Sequence, residues 1–420
     1  MKQINAIKGM NDILPDAAHW WQYIEDTCLQ VLQRNQYRKI ATPLLEKTEL
    51  FARTIGAETD IVGKEMYSFA DRNDDSLTLR PEGTASCARA GIENGLFYNQ
   101  QQRIWYTGPM FRRENPQKGR YRQFHQLGAE AYGWATPDID AEVISLSQQM
   151  WQALGIKSPQ LQINSLGDTQ DRQRYRNELV AYLEKYTNEL DEDSQRRLTS
   201  NPLRILDSKN VRTQELLADA PVLLDYLSDT CLEDLTTLQR YLTSLGIDFD
   251  VNPRLVRGLD YYNKTVFEWV YPGLGAQATV CAGGRYDGLV EQLGGKPTPA
   301  IGFAMGIERL IEIIKDQQVD VEPCVPDVYF MSLGDAAREK ALVLSKQLRQ
   351  QGIKVQLHCG DGSLKNQMKR ADKSRAEYAA IIADDELQQQ VVTLKALRSN
   401  TEQQAIPLDD FIKIMQQTLN

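Results

Sequence analysis

Hydrophobic residues recur at helical spacing near the start of the chain. Between Pro15 and Arg34 they stand mostly three or four positions apart, which places them along one face of a helix. The residues in this stripe are Trp20, Ile24, Cys28, Val31 and Leu32. The pattern predicts an amphipathic helix from Pro15 to Arg34.

The segments that follow have the short apolar runs typical of strands. Tyr37 to Leu45 is predicted to be extended, and Pro43 places it at an edge or interface because proline donates no ladder hydrogen bond. Further β-prone runs at Leu77 to Leu79 and Ile104 to Phe111 alternate with polar loops. Together they predict antiparallel pairing in a mixed α+β core.

A change of composition interrupts this core. Residues from 168 to 248 are rich in Leu, Glu, Asp, Arg and Gln at helical spacing, which predicts an inserted helical module. Strands are predicted again at Phe267 to Val270 and Thr279 to Ala282, separated by a glycine-bearing turn at Pro272 to Gly275. An apolar helix is predicted from Ile301 to Ile314, which would complete the core.

The last part of the chain alternates strands and helices, as in a small α/β domain with parallel pairing. The interpretation divides the chain into a domain at 1–320, interrupted by the insertion at 168–248, and a second domain at 327–420. The linker is predicted between Asp316 and Pro326. The predicted strands and helices after it are Val328 to Met331, Arg338 to Gln351, Lys354 to Leu357, Leu364 to Arg375 and Tyr378 to Ile382.

Composition narrows the classes of function. Lys and Arg number 48 against 57 Asp and Glu, a net charge of -9, which argues against a protein that coats nucleic acid indiscriminately but allows local basic patches. No apolar run approaches the length of a membrane span and no export signal precedes one, so we expect a cytoplasmic protein. Three histidines and six widely spaced cysteines exclude multi-histidine and close-pair cysteine metal sites, and the cysteines are expected to be buried in a reducing compartment. The chemistry must therefore depend mainly on Arg, Glu, Gln and Tyr.

Phosphate binding would have to be done by arginine. Gly295-Lys296 is followed by Pro297, which breaks the P-loop pattern, and Gly273-Leu274-Gly275 lacks the third glycine of a dinucleotide fold. Arg112 to Arg122 contains five basic residues and one acid. By itself this run is also consistent with a solvated, charged hairpin.

Several motifs together resemble those of one family. Pro43, the segment from Phe111 to Phe124, Thr78 to Thr84 and Gly302 to Leu310 resemble the three signature motifs of class II aminoacyl-tRNA synthetases. Two further stretches resemble the histidine-specific motifs of histidyl-tRNA synthetases, and the likeness begins at the segment from Ile7 to Asp12 and covers essentially the whole chain. These stretches are Leu255 to Tyr262 and Ala282 to Asp287.

The resemblance implies a bacterial-type fold, activity and set of partners. The expected fold is α+β, with an antiparallel catalytic sheet flanked by helices, an inserted helical domain and a C-terminal α/β anticodon-binding domain. The implied reaction is ATP-dependent activation of L-histidine to histidyl-adenylate and transfer of the histidyl group to the 3′ end of tRNA(His). A homodimer is implied, and Mg²⁺ is expected to arrive with ATP and not at a protein-only metal site.

The resemblance also assigns residues to ATP. Arg112 matches the arginine at the α-phosphate, and Arg257 matches the family's catalytic arginine, which stands where other class II enzymes place a metal ion. Arg120 and Arg309 are expected near the γ-phosphate, and Phe124 with Arg309 would sandwich the adenine. The full set expected to bind ATP is Arg112, Glu114, Arg120, Phe124 and Arg309.

A second set is assigned to histidine. Glu82, Thr84 and Gln126 are expected at the ammonium group, and Glu130 and Tyr262 at the two ring nitrogens. The full set expected to bind histidine is Glu82, Gly83, Thr84, Gln126, Glu130, Arg257, Tyr261, Tyr262 and Tyr286. A pocket of hydrogen-bonding groups would reject apolar amino acids by leaving those groups unpaired.

Structural interpretations of the same residues remain open at this point. Tyr261 and Tyr262 also fit core aromatics, Arg257 fits a surface salt bridge, and Glu82 fits a carboxylate at a helix N-terminus. The run from Lys365 to Arg375 has five basic residues and one acid, and fits either a solvated helix or, through the resemblance, an RNA-facing one.

A functional alternative also remains open. It is a non-catalytic, histidine-binding paralogue that resembles the regulatory subunit of ATP phosphoribosyltransferase. The chain departs from the family at Asn115, where relatives commonly carry Arg.

Overall fold

The computed structural model describes residues 3–56, 59–117, 119–157, 159–399 and 401–419. The chain separates into two compact units, the first ending at Val321 and the second beginning at Glu322.

The first unit contains eleven strands and ten α-helices among its described residues. The strands are β1 (Arg38–Lys39), β2 (Leu45–Lys47), β3 (Tyr67–Ala70), β4 (Ser76–Leu79), β5 (Gln102–Phe111), β6 (Gln123–Tyr132), β7 (Gln160–Ser165), β8 (Asp250–Val251), β9 (Asn263–Val270), β10 (Thr279–Arg285) and β11 (Ala300–Gly306). The helices are α1 (Pro15–Arg34), α2 (Thr48–Ile55), α3 (Thr84–Glu93), α4 (Pro137–Ala153), α5 (Thr169–Leu183), α6 (Glu192–Ser200), α7 (Val211–Leu217), α8 (Asp229–Ser244), α9 (Leu289–Gln292) and α10 (Ile307–Asp316).

An eight-stranded sheet forms the centre of this unit. Its strand order is β1-β5-β6-β11-β10-β9-β7-β8, antiparallel from β5 to β7 and parallel only in the two end pairs. A separate antiparallel sheet has the order β2-β4-β3. The predicted α+β class with an antiparallel core is confirmed.

Helix α1 agrees with the sequence pattern. It spans Pro15–Arg34, with proline in its first turn, and buries Ile24, Cys28, Val31 and Leu32. These side chains join a core cluster that also contains residues of α4, α10 and the large sheet. The helix therefore covers one face of the sheet.

The extended segment after α1 differs from its prediction. It forms two short strands, β1 and β2, which flank Pro43 and belong to different sheets. Each lies at the edge of its sheet, so the predicted edge position is correct and the single continuous strand is wrong.

The predicted helix from Ile301 to Ile314 is wrong in its first half. Residues Ala300–Gly306 form β11, and the helix α10 begins only at Ile307. Strand β11 pairs with β6 on one side and with β10 on the other. Ile301, Phe303 and Met305 of this strand lie in the core and its other positions are alanine or glycine, so the strand has no polar residues and periodicity cannot distinguish it from a buried helix. The predicted turn at Pro272 to Gly275 is part of a 3₁₀ helix, Pro272–Gln277.

The predicted helical character of residues 168 to 248 is confirmed. Besides α5 to α8 this region contains 3₁₀ helices, at Glu184–Glu189, Pro202–Asp207 and Leu223–Tyr226. The buried residues of α5 and α7 belong to a second core cluster, whereas Leu235, Leu238 and Leu242 of α8 pack in the first cluster with α4. Helix α8 therefore packs as part of the layer that covers the large sheet.

The second unit is a five-stranded sheet with helices. Its elements are β12 (Val328–Ser332), α11 (Asp335–Gln350), β13 (Val355–Leu357), α12 (Leu364–Lys373), β14 (Tyr378–Ile382), α13 (Asp384–Gln388), β15 (Val391–Ala396), β16 (Gln404–Pro407) and α14 (Phe411–Leu419). The order is β13-β12-β14-β15-β16. The first three strands are parallel, as predicted, and the last two are antiparallel additions.

Two smaller expectations have different outcomes. Four cysteines are buried, but Cys324 and Cys359 are exposed, so the expectation of burial is wrong for these two. Among the described residues, we find no helix with the length and apolar character needed to cross a membrane.

Candidate active site

One pocket of the first unit gathers most of the residues singled out in the sequence. Its wall comes from the turn before α3, the hairpin of β5 and β6, the segment that precedes β9, strand β10 and the start of α10. Eleven of the fourteen predicted residues line it, namely Glu82, Thr84, Arg112, Glu114, Arg120, Phe124, Gln126, Arg257, Tyr261, Tyr262 and Arg309. The other three are Gly83, Glu130 and Tyr286.

Glu82 combines a structural and a pocket position. Its carboxylate accepts hydrogen bonds from the backbone amides of Thr84, at 2.6 Å, and Ala85, at 2.9 Å. Burial raises its pKa, and these hydrogen bonds and the charge of Arg112 oppose the rise. The interpretation as a carboxylate at a helix N-terminus is therefore correct, and the same side chain lines the pocket.

Glu130 lies fully buried on β6, beneath the pocket wall. Its carboxylate accepts a hydrogen bond from Thr84 Oγ1 at 2.7 Å and another from the hydroxyl of Tyr286. Burial raises the pKa of Glu130 to about 8, although both hydrogen bonds lower it. A Cβ atom at Gly302, opposite on β11, would lie 1.7 Å from Oε2 of Glu130, so glycine is needed there.

Gly83 serves packing. A Cβ atom added to it would lie 2.2 Å from Cε2 of the Tyr106 ring, so a larger residue would displace that ring. Tyr106 is buried next to Gly83. Burial raises the pKa of Tyr106, and the nearby charge of Glu130 raises it further. Gly83 thus brings the turn before α3 close to the sheet.

Several arginines also line the pocket. Nε of Arg112 donates to the carbonyl of Pro81 at 2.9 Å, and its guanidinium lies 5.3 Å from the centre of the Phe124 ring. Arg309 donates to the carbonyl oxygens of Gly119, at 3.3 Å, and Thr279. Burial, together with repulsion from Arg120 and Arg112, lowers the pKa of Arg309 to about 10. Cations that repel one another in a buried wall favour an anionic ligand.

The hairpin between β5 and β6 contributes one further ion pair. Arg120 pairs with the carboxylate of Glu114, whose side chain is 8% exposed. Asn115 is exposed on the same loop. Lys118, which contributes to the basic run, lies outside the described residues. Because Glu114 and Arg120 line the pocket, the solvated-hairpin interpretation fails for this pair.

Arg257 is held by a carboxylate that the sequence analysis did not single out. Its guanidinium pairs with Glu268 on β9, and both side chains are 16% exposed. The other carboxylate oxygen of Glu268 accepts from Thr279 Oγ1 at 2.9 Å. Arg257 also lies 5.7 Å from the centre of the Tyr262 ring. The salt-bridge interpretation of Arg257 is correct, but the bridge is in the pocket wall and not on the open surface.

Three tyrosines pack beside Arg257. The ring centres of Tyr261 and Tyr262 are 4.7 Å apart, and Tyr286 lies 5.6 Å and 6.4 Å from them. All three are buried in the second core cluster, so the core interpretation is correct for them. Tyr261 and Tyr262 also reach the pocket wall.

Comparison with known proteins identifies the family. The family model described as Histidyl-tRNA synthetase matches residues 9–310, which include every residue of the pocket. The chain belongs to the histidyl-tRNA synthetase family. A second family model, described as Anticodon binding domain, matches residues 327–418 of this synthetase family member.

Individual relatives cover nearly the whole chain of this family member. It is 54% identical to the Histidine–tRNA ligase of Hydrogenovibrio crunogenus over 420 residues, covering all of this chain and 99% of the relative. It is 57% identical to the Histidine–tRNA ligase of Thiobacillus denitrificans over 408 residues, covering 97% of each. The crystal structure of apo S. aureus histidyl-tRNA synthetase has a TM-score of 0.83 at 36% identity, covering 98% of this chain and 99% of that one.

A group of possible metal ligands lies elsewhere in this family member. Among the described residues, Asp168, Asp171 and Cys231 bring ligand atoms within 4.8 Å of one another. Both carboxylates already act at helix ends: Asp168 accepts from amides of the first turn of α5, and Asp171 accepts from Ser228 at the start of α8. Helix capping therefore accounts for this cluster.

Glu268, which pairs with Arg257, is the main residue of the site that was not predicted from the sequence. A signal for it exists, because Phe267 and Trp269 are buried and strand alternation directs the residue between them to the other face. Nothing in the local pattern indicates that Arg257 lies against this face of β9. That pairing depends on tertiary structure.

The raised pKa of Glu130 gives a testable pH dependence of stability. Between its ordinary value of 4.5 and about 8, native Glu130 retains a proton that the unfolded chain has lost, so the free energy of unfolding falls as pH rises through this window. Glu130→Gln cannot titrate. Thermal unfolding without histidine should therefore show the wild type losing stability relative to Glu130→Gln from about pH 5 to about pH 8. A difference between the two proteins that stays constant with pH would contradict the raised pKa.

Proposed function

We propose that this chain is a histidine–tRNA ligase, which converts L-histidine and ATP to histidyl-adenylate and pyrophosphate and then transfers the histidyl group to the 3′ end of tRNA(His). The observation that carries the proposal is a single pocket that combines buried carboxylate and tyrosine groups with a cluster of arginines. The first set suits an amino acid with a polar ring, and the second suits a triphosphate.

The arginines supply what the first step needs. In that step a carboxylate oxygen of histidine attacks the α-phosphorus of ATP and pyrophosphate leaves, and a carboxylate requires no general base. The protein must align the reactants and stabilise charge on the phosphate oxygens. We assign this role to Arg112 and Arg257, which both line the pocket.

ATP is held, in this proposal, by two further arginines and by two residues that contact or neighbour them. Arg309 and Arg120 contact the outer phosphates, Phe124 stacks on the adenine, and Glu114 orients Arg120, with which it pairs. Mg²⁺ enters with ATP, bound to its phosphates.

Histidine is held, in the same proposal, by the buried carboxylate, hydroxyl and amide groups. Glu82, Thr84 and Gln126 receive the ammonium group, while Glu130 and Tyr262 meet the ring nitrogens. Tyr286 supports Glu130 through the hydrogen bond between them, and Tyr261 packs against Tyr262. A ligand without ring nitrogens leaves these buried polar groups unpaired, which is the physical basis of selectivity.

The same proposal assigns the domains and the assembly. Residues 1–320 form the catalytic domain, with 168–248 as an inserted domain, and 327–420 form the anticodon-binding domain. The basic run on and after α12 contacts tRNA phosphates. The protein acts as a homodimer in the cytoplasm. The regulatory paralogue is disfavoured because Arg112, Arg257 and Arg309, which a protein that only binds histidine does not need, all line the pocket.

Charging of tRNA tests this proposal. Purified protein with ATP, Mg²⁺ and labelled histidine should attach label to bulk bacterial tRNA, and omission of ATP should abolish it. Absence of charging by the intact, folded protein would contradict the assigned activity.

A shortened chain tests the assignment of the second unit. A chain that ends at Val321 should keep histidine-dependent pyrophosphate exchange but lose most tRNA charging, because the anticodon-binding domain contributes RNA affinity and no group to the reaction at phosphorus. Gel filtration should verify that its oligomeric state is unchanged. Undiminished charging by this shortened chain would show that the domain assignment is wrong.

A further inference from the structure

The segment from Arg257 to Tyr262, here called the substrate segment, has no regular secondary structure of its own. It lies between β8 and β9 and carries Arg257, Tyr261 and Tyr262 into the pocket. Outside helices and strands, backbone carbonyl groups need other donors. The position of this segment therefore depends on side chains from elsewhere.

Three of those side chains come from the inserted helices. Nη1 of Arg172, on α5, donates to the carbonyl oxygen of Tyr262 at 2.8 Å. Nδ2 of Asn201 donates to Oδ1 of Asp260 at 3.0 Å, and Arg204 Nη1 reaches the carbonyl oxygen of Arg257 at 3.4 Å. The donors thus contact the start, the middle and the end of the substrate segment.

The Arg172 contact is the shortest of the three. It is short and charge-assisted, and it fixes the backbone of a residue whose side chain lines the pocket. The guanidinium is partly buried, and burial lowers its pKa while Asp260 and Asp168 oppose that change. Removing a cation from water raises its free energy, and hydrogen bonds such as the one to Tyr262 offset this increase.

The Arg204 contact marks a close approach of the two elements. A Cβ atom at Gly258 would lie 3.0 Å from Nη1 of Arg204, so the glycine leaves room for the guanidinium beside the chain. Arg204 belongs to the 3₁₀ helix Pro202–Asp207, separate from α5. Two different elements of the insertion therefore hold the substrate segment.

We propose that the insertion positions the histidine site, with Arg172 as a positioning residue for Tyr262. This inference rests on the proposed function, in which Tyr262 meets the imidazole ring and not ATP. Removal of the Arg172 hydrogen bond frees the backbone of Tyr262 and weakens histidine binding. Arg257 remains held by Glu268 and Arg204, so the step at phosphorus is preserved.

Histidine-dependent pyrophosphate exchange by three variants of the full chain tests the inference. Arg172→Met should raise KM for histidine about tenfold, as expected for loss of a charge-assisted hydrogen bond, with KM for ATP and kcat within about threefold of wild type. Arg172→Lys, which keeps a cationic donor, should restore most of the loss. Arg176→Met is the matched control, because Arg176 lies on α5 beside the same groove but makes no hydrogen bond to the substrate segment in the part of the chain described here.

The outcomes separate this inference from the proposed function. An unchanged KM for histidine in Arg172→Met overturns the inference, and so does an equal rise in both KM values, which indicates a general structural role. If Arg172→Met does not fold, Asn201→Ala provides the same test, with an expected rise in KM for histidine of about threefold and the same two overturning results. Absence of histidine-dependent exchange by the wild type overturns the proposed function itself.

Discussion

Replacement of Arg257 by Ala is expected to lower the rate of adenylate formation by about 10²-fold or more, the usual cost of losing one electrostatic donor at a reacting centre. Its charge acts mostly on phosphate oxygens as the transition state forms, so histidine binding should change much less. The ion pair with Glu268, whose other carboxylate oxygen accepts from Thr279, holds the guanidinium in the pocket wall before substrates arrive. The loss should therefore appear in the maximal rate.

Single-turnover formation of the adenylate measures this rate directly. Arg254→Ala is a suitable control, because Arg254 is exposed three positions earlier and donates to the carbonyl oxygen of Ala218 at 3.3 Å, away from the pocket wall. The control should react like the wild type. A rate for Arg257→Ala within a few-fold of that of the control would refute the catalytic assignment.

Glu130→Gln is expected to reduce kcat/KM for histidine by about 10- to 100-fold, which corresponds to the loss of one hydrogen bond to a charged group. The glutamine keeps the size of the side chain but cannot become a carboxylate that pairs with a ring N–H. KM for ATP should be unchanged, since Glu130 lies behind Thr84 and is assigned to the imidazole ring and not to ATP. Exchange kinetics with histidine varied at saturating ATP give the comparison.

Tyr286→Phe separates the two components of this effect. It removes the hydroxyl that donates to Glu130 but leaves the carboxylate, so its loss in kcat/KM should be smaller than that of Glu130→Gln. If Glu130→Gln used histidine as well as the wild type does, the imidazole could not be bound by this carboxylate.

The local patterns of the sequence predicted α1 and the antiparallel centre of the sheet, and the resemblance to the synthetase motifs supplied most of the pocket residues. Short motifs were enough to identify the site residues, because the side chains of each motif lie on one turn or one strand. Glu82 and Thr84, for example, lie two positions apart at the N-terminus of α3. The contact between Thr84 and Glu130, by contrast, joins residues 46 positions apart and depends on how α3 packs against the large sheet.

The failures have different physical origins. Strand β11 has Ile301, Phe303 and Met305 in the core and only alanine and glycine on its other face, so it lacks the polar positions that mark a half-buried strand. Strands β15 and β16 were missed in the second unit, where β16 is short and mostly exposed. Glu268 was missed because its partner Arg257 stands on a segment without regular structure.

Exchange of labelled pyrophosphate into ATP is the most direct test of the central claim, that this pocket activates histidine. With Mg²⁺ and ATP, the account predicts exchange that depends on histidine, with other standard amino acids discriminated against by about 10⁴-fold because they leave the buried polar groups unpaired. Exchange of equal rate with a second amino acid, or no exchange with histidine, would contradict it.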